Sequence, residues 1–221
     1  MSRRFPLPLL AALLVMAAVV PVAIAGGNGC DRGATVCDGT SGSDKLTTGN
    51  TDDVIHGNGG NDRLNAQGGD DQLFGDAGND TLHDGTGDDD SHGGTGNDII
   101  LGDERGAGGK DVIEGDSGND RLFGMAGNGD VVRGGPGDDV IHGGDGSGDI
   151  HDGGSGDDTM DDAPRRGATA GDVFRGGAGN DDIFSRDGKR DIVDCGPGRD
   201  IVKADSKDKI AGNCERVVRI G

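Results

Sequence analysis

A nine-residue interval governs this chain. From Gly39 onward an Asp returns at the sixth place of each unit, glycines crowd the places before it, and a large aliphatic residue stands at the eighth. Gly57-Asn58-Gly59-Gly60-Asn61-Asp62-Arg63-Leu64-Asn65 is one unit and Gly75-Asp76-Ala77-Gly78-Asn79-Asp80-Thr81-Leu82-His83 another; those starting at Gly93, Gly115, Gly134 and Gly176 follow the same pattern. Tandem units of this kind form solenoids, in which no unit buries its apolar side alone and stacked neighbours build one continuous core.

Composition limits that core and the partners it can meet. There are 48 Gly, 5 Phe and neither Trp nor Tyr, so the core is thin. Asp and Glu outnumber Lys and Arg by 41 to 21, a formal charge of −20. That balance argues against nucleic acid or an anionic membrane and favours cations. High charge with few large apolar residues also describes disordered acidic chains; the fixed interval separates the two readings.

The unit has the chemistry of a calcium loop. Calcium takes about six to eight oxygens at about 2.3–2.6 Å. Glycines let a loop turn tightly through positive φ and point carbonyls at an ion, and the Asp adds a carboxylate. The residues that follow suit a short strand, with the aliphatic side chain inward and its neighbours outward. The pattern resembles the hemolysin-type (RTX) calcium-binding repeat, G-G-x-G-x-D-x-U-x, from Gly39 to Lys203. The resemblance implies an all-β fold, a right-handed parallel β-roll (a β-solenoid) with two nonapeptides per coil and multiple Ca2+ ions between stacked loops.

Carried over by position, the stronger ligands are Asp44, Asp53, Asp62, Asp71, Asp80, Asp89, Asp98, Asp120, Asp139, Asp158, Asp181 and Asp200. Asp111, Asp130, Asp149, Asp172 and Asp191 are the weaker set. Backbone donors are expected among Gly57, Gly59, Gly75, Gly78, Gly93, Gly94, Gly96, Gly115, Gly118, Gly134, Gly135, Gly137, Gly153, Gly154, Gly156, Gly176, Gly177 and Gly179. The inward residues include Leu46, Ile55, Leu64, Leu73, Leu82, Ile100, Ile113, Leu122, Val132, Ile141, Met160, Phe174, Ile183, Val193 and Val202, with Ser91 and His151 departing from the pattern. The core is expected to thin at those two places.

The intervals between the aspartates bear on the two-repeat coil. From Asp44 to Asp98 each step is 9; afterwards the steps are 13, 9, 10, 9, 10, 9, 14, 9, 10 and 9. Every insertion falls in an alternate repeat, so with two repeats per coil all of them lie on one edge of the roll. The other, uninserted edge is expected to carry a nearly continuous column of ions. The inserted edge is expected to be occupied only in its N-terminal half, because Arg105, Lys110, Arg165 and Arg166 enter its later loops.

The ends differ from the array. Arg3 and Arg4, an apolar run from Leu7 to Val22 and the small-x-small Ala23-Ile24-Ala25 read as a secretory signal peptide over 1–25. Pro8 and Pro21 interrupt the run, which argues against a membrane span in the exported chain. Residues 26–38 and 204–221 read as caps on the roll, 39–203. Cys30, Cys37, Cys195 and Cys214 allow three pairings; Cys30–Cys37 and Cys195–Cys214, one at each end, are preferred. His56, His83, His92 and His142 each stand three places after a repeat Asp and are read as outward strand positions, with a second metal site as the alternative. No H-E-x-x-H, G-x-S-x-G or nucleophile–base set is present, so no catalytic residue is assigned. The expected function is a secreted, extracellular calcium-binding protein, structural or adhesive, with its macromolecular partner unassigned. A polysaccharide-, ice- or mineral-binding module and a non-catalytic relative of a toxin or hydrolase are the alternatives.

Overall fold

The computed structural model describes residues 23–24, 30, 35–103, 108–162 and 170–220, and among these there are strands and turns but no helix. The strands lie in two parallel sheets of 11 and 10 strands, and from Val36–Asp38 on consecutive strands alternate between the sheets. Each strand therefore pairs with the strand two elements on, and two nonapeptides close one coil, giving a β-solenoid of about nine turns. The architecture is a parallel β-roll.

Register shows why the eighth place is aliphatic. In one sheet Leu46, Leu64, Leu82, Ile100, Leu122, Ile141, Met160, Ile183 and Val202 stand in one paired row. In the other sheet the row is Cys37, Ile55, Leu73, Ser91, Ile113, Val132, His151, Phe174 and Val193. All of these side chains are buried, and the two rows face each other as the core. A typical strand, Arg63–Asn65, buries only its middle residue. One inward side chain per strand is all that a three-residue strand between tight turns can supply.

The two departures behave differently. Ser91, the smallest side chain of its row, leaves its Oγ buried without a partner. His151 fills its place with a ring 4.8 Å from that of Phe174, and both its nitrogens are buried and unpartnered. Burial holds its pKa down at about 4, so the ring is a neutral core residue. Gly143 supplies the room, since a Cβ there would collide with the imidazole.

All five insertions fall where the chain passes from the 10-stranded sheet to the 11-stranded one, on a single edge. Beyond the last regular repeat, Lys209–Ile210 and Arg216–Arg219 still pair with the roll, so the C-terminal segment adds a further coil. Cys195–Cys214 fastens that coil, and Cys30–Cys37 fastens the first one. The expected signal segment lies outside the described residues except for Ala23 and Ile24, which pair with Cys37 and Asp38. Leu122→Ala should cost about 2–5 kcal/mol as a core cavity. Ser91→Ala, which removes an unpartnered buried hydroxyl, should stabilise by about 1 kcal/mol. Denaturant unfolding of the folded roll measures both.

Candidate metal centres

The sixth-place aspartates form two continuous ladders along the roll. On the uninserted edge the Asp44 N–H donates to Asp62 Oδ1, and the pattern runs on through Asp80, Asp98, Asp120, Asp139, Asp158 and Asp181 to Asp200, at 2.7–3.0 Å. The inserted edge repeats this from Asp53 through Asp71, Asp89, Asp111, Asp130, Asp149 and Asp172 to Asp191. Every one of these residues except Asp44 is buried. All seventeen expected ligands are thus sorted into two columns.

Each carboxylate after the leading Asp44 and Asp53 spends Oδ1 on the ladder. Oδ2 is buried without a partner in Asp62, Asp80, Asp98, Asp120, Asp139, Asp158, Asp181 and Asp200 on one edge. On the other edge the same holds for Asp71, Asp89, Asp111, Asp172 and Asp191. A buried anionic oxygen with no hydrogen bond is costly. A column of them calls for a cation, and an all-oxygen donor set suits a hard one such as calcium.

The glycines make the space. A Cβ at Gly115 would come within 2.5 Å of Asp120 Oδ2 and 2.7 Å of the Gly134 carbonyl oxygen. Carboxylate and carbonyl oxygens of successive coils therefore crowd the spot where any other residue would place its side chain. The fourth-place glycine is required twice over. Gly118 has φ +140°, and a Cβ there would overlap the Gly96 carbonyl oxygen.

A further ladder uses the fifth place. The N–H groups of Asn79, Asn97, Asn119, Asp138, Asp157 and Asn180 donate to the side-chain oxygen of the fifth-place residue one coil earlier, at 2.7–3.0 Å. The inserted edge has this ladder only through Asp52, Asp70 and Asp88, where it ends on the Lys110 N–H. On that edge the fifth-place ladder ends where the insertions begin, while the sixth-place ladder continues. Arg105, Arg165 and Arg166 lie outside the described residues.

The carboxylates of the inserted edge do not stop there. Asp84, Asp103, Asp145, Asp162, Asp187 and Asp205, none at a sixth place, each carry a buried unpartnered oxygen. Ligand atoms of Asp162, Asp187 and Asp191 lie within 4.8 Å of one another. Sequence reasoning missed these because they stand outside the repeated position. It also missed the ladder ends, where Asp191 donates to Asp208 Oδ1 and Asp200 to Glu215 Oε2. In Asp-Ser-Lys-Asp and Cys-Glu the nine-residue pattern has already lapsed.

Burial shifts these acids strongly. Loss of water is the largest cause in each case; the donated N–H pulls back, and neighbouring carboxylates push further up. Asp71, Asp120, Asp130, Asp158 and Asp191 rise to about 7, and Asp111 to about 8. Asp80, Asp89, Asp139, Asp149 and Asp181 rise to about 6.

The sequence matches the RTX calcium-binding nonapeptide repeat over residues 38–73, 66–100, 105–128, 129–160 and 166–192. The chain belongs to the RTX calcium-binding repeat family. No curated protein matches it. Membership accords with the ladders, because the RTX repeat places one carboxylate and one set of carbonyls per nonapeptide.

Two results should follow from this geometry. Without metal, raised carboxylate pKa values mean that protons favour the folded RTX roll. That contribution is present below the unfolded value of about 3.9 and is lost as pH rises through about 6 to 8. The unfolded chain and a cation-loaded roll both carry these carboxylates ionised above about pH 5, so in a titration followed by circular dichroism the calcium midpoint of folding should be lower at pH 5.5, where protons already favour the roll, than at pH 8. Gly118→Ala should raise that midpoint severalfold at fixed pH, whereas Gly49→Ala, with open space at its Cβ, should leave it unchanged.

Proposed function

We propose that this RTX chain is an exported protein whose repeats fold on binding a column of calcium ions along each edge, and that the loaded rod is a structural or adhesive extracellular element. The observation that carries the reading is the two series of buried carboxylates with Oδ1 committed to the neighbouring coil and Oδ2 left without a hydrogen bond. Asp44 through Asp200 on the uninserted edge and Asp53 through Asp191 on the other are the proposed ligands, together with the glycine-loop carbonyls.

On the inserted edge the later sites take a different form. Asp162 and Asp187 join Asp191 there, and they would supply oxygens in place of the lost glycine turns. The C-terminal half of that edge is therefore proposed to bind calcium too, in place of the empty half that the insertions suggested. Around Asp130 and Asp149 the binding is weakest, because Asp149 Oδ1 already accepts from both Gly129 and Asp130.

Folding and export then share one cause. Like charges stacked in a thin core oppose folding without metal, and an ion that binds only the folded loops turns its binding energy into folding energy. The amino-terminal segment 1–25 is the proposed export signal, and the two disulfides suit an oxidising compartment. The low calcium of a cell interior would keep the repeats extended, and calcium outside would fold them.

Calcium titration of the chain, read by circular dichroism and calorimetry, tests this. A cooperative coil-to-β transition is expected, reversed by chelator and not reproduced by magnesium at the same concentration. Asp120→Asn, in mid-column, should shift the midpoint to severalfold higher calcium. Full β structure in chelator, or no heat of calcium binding, would sink the proposal.

A further inference from the structure

The repeat aspartates account for the edges of the roll but not for a group on its outer face. His92 lies on the outward side of the strand Asp90–Thr95 in the 11-stranded sheet and pairs in register with Glu114 of the next coil. Its Nδ1 is 3.6 Å from Glu114 Oε2 and 3.5 Å from Asp116 Oδ2. Its Nε2 is 3.3 Å from Asp90 Oδ1. Ligand atoms of His92, Glu114 and Asp116 all fall within 4.8 Å of one another.

These distances separate two kinds of contact. A charge-assisted N–H···O bond is about 2.7–2.9 Å long, and His142 makes such a pair with Asp161 at 2.6 Å. The two Nδ1 contacts of His92 are too long for that. They match the edge of a tetrahedron about a zinc-like ion: ligand bonds of about 2.0–2.2 Å give ligand–ligand edges of about 3.3–3.6 Å.

The surroundings hold the three groups in that arrangement. The His92 ring stacks on Phe74, 5.3 Å between centroids and 9° between planes, and Phe74 stacks in turn on His56. Arg133 Nη1 binds Glu114 Oε1 at 2.5 Å, which leaves Oε2 turned to the histidine. With an ion on Nδ1, Asp90 Oδ1 stands where it would accept the proton of Nε2 and hold the ring in place. A carboxylate behind a ligating imidazole is the usual outer partner of a metal-bound histidine. Among the described residues His56 has one carboxylate, that of Asp76, near its Nδ1, so the repeat register alone does not create this set.

We propose that His92, Glu114 and Asp116 form a zinc-type transition-metal site on the outer face of the roll, with water as fourth ligand and Asp90 positioning the imidazole. An imidazole nitrogen among the donors selects against calcium, which prefers oxygen alone, so the site remains distinct in calcium-rich surroundings. The inference rests on the folded roll and is independent of how many calcium ions load its edges.

The test is a zinc titration of the full chain in excess calcium, by calorimetry, with cobalt(II) substitution read in the visible spectrum. One zinc equivalent lost in His92→Phe is expected, along with a tetrahedral cobalt spectrum lost in the same variant. His92→Phe keeps a ring on Phe74, and His142→Phe should bind zinc like the parent chain. Asp90→Asn should weaken zinc binding about 10–100-fold. Glu114→Gln provides a second ligand deletion that leaves the ring stack intact. No zinc uptake by the folded chain, or uptake unchanged in both His92→Phe and Glu114→Gln, overturns the site. Circular dichroism on the same samples reads calcium-driven folding separately, so a failure of folding counts against the calcium proposal and a failure of zinc uptake against this one.

Discussion

One hydrogen bond organises this molecule: the backbone N–H of each sixth-place Asp given to the carboxylate of the Asp one coil on. It reinforces the spacing between coils at the turn, where the Asp62 carbonyl also accepts from the Thr81 N–H of the next coil. It also fixes each carboxylate in a single orientation, one oxygen bound and the other presented to the loop. A residue type with two acceptor oxygens is needed for that division. Asn could accept the ladder bond, but its second group is a donor and would repel a cation. The invariance of Asp along both edges therefore has a local cause in addition to charge.

The same arrangement makes the fold conditional. Burial raises most of these acids toward neutrality, so in the absence of an ion the folded roll holds either protons or uncompensated charge. The core does little to offset this, since most strands contribute one large inward apolar side chain. The disulfides tie only the first and last coils. Everything between them depends on neutralisation of the two columns, and an ion held by the oxygens of successive coils also couples those coils to one another. A quasi-one-dimensional stack gains cooperativity in that way.

Most of this was legible in the residues, because a nine-residue period fixes three things together. The Asp at the sixth place, the aliphatic residue at the eighth and the alternation of insertions placed the ladders, the core rows and the inserted edge. What escaped the sequence lies off the period. Asp162 and Asp187 reach the inserted edge from irregular loops, and Asp208 and Glu215 end the ladders where no repeat remains. At the fifth place of the uninserted edge Asn and Asp interchange between Asn61 and Asn180, because either offers an oxygen to the next N–H. Its chemistry is uniform although its letters are not.

The histidines show the limit of periodic reading most clearly. His56, His83, His92 and His142 occupy equivalent places in the unit, yet they divide between the two sheets. What each can do is set by its neighbours across the coil, which the period does not specify. His142 meets one carboxylate at bonding distance. His56 meets one at 3.6 Å, and His92 alone faces two on one nitrogen and a third on the other. In a solenoid, position along the chain determines which face a side chain occupies, and the adjacent coils determine its chemistry. Any site outside the repeat consensus must therefore be sought in rows that run across the strands.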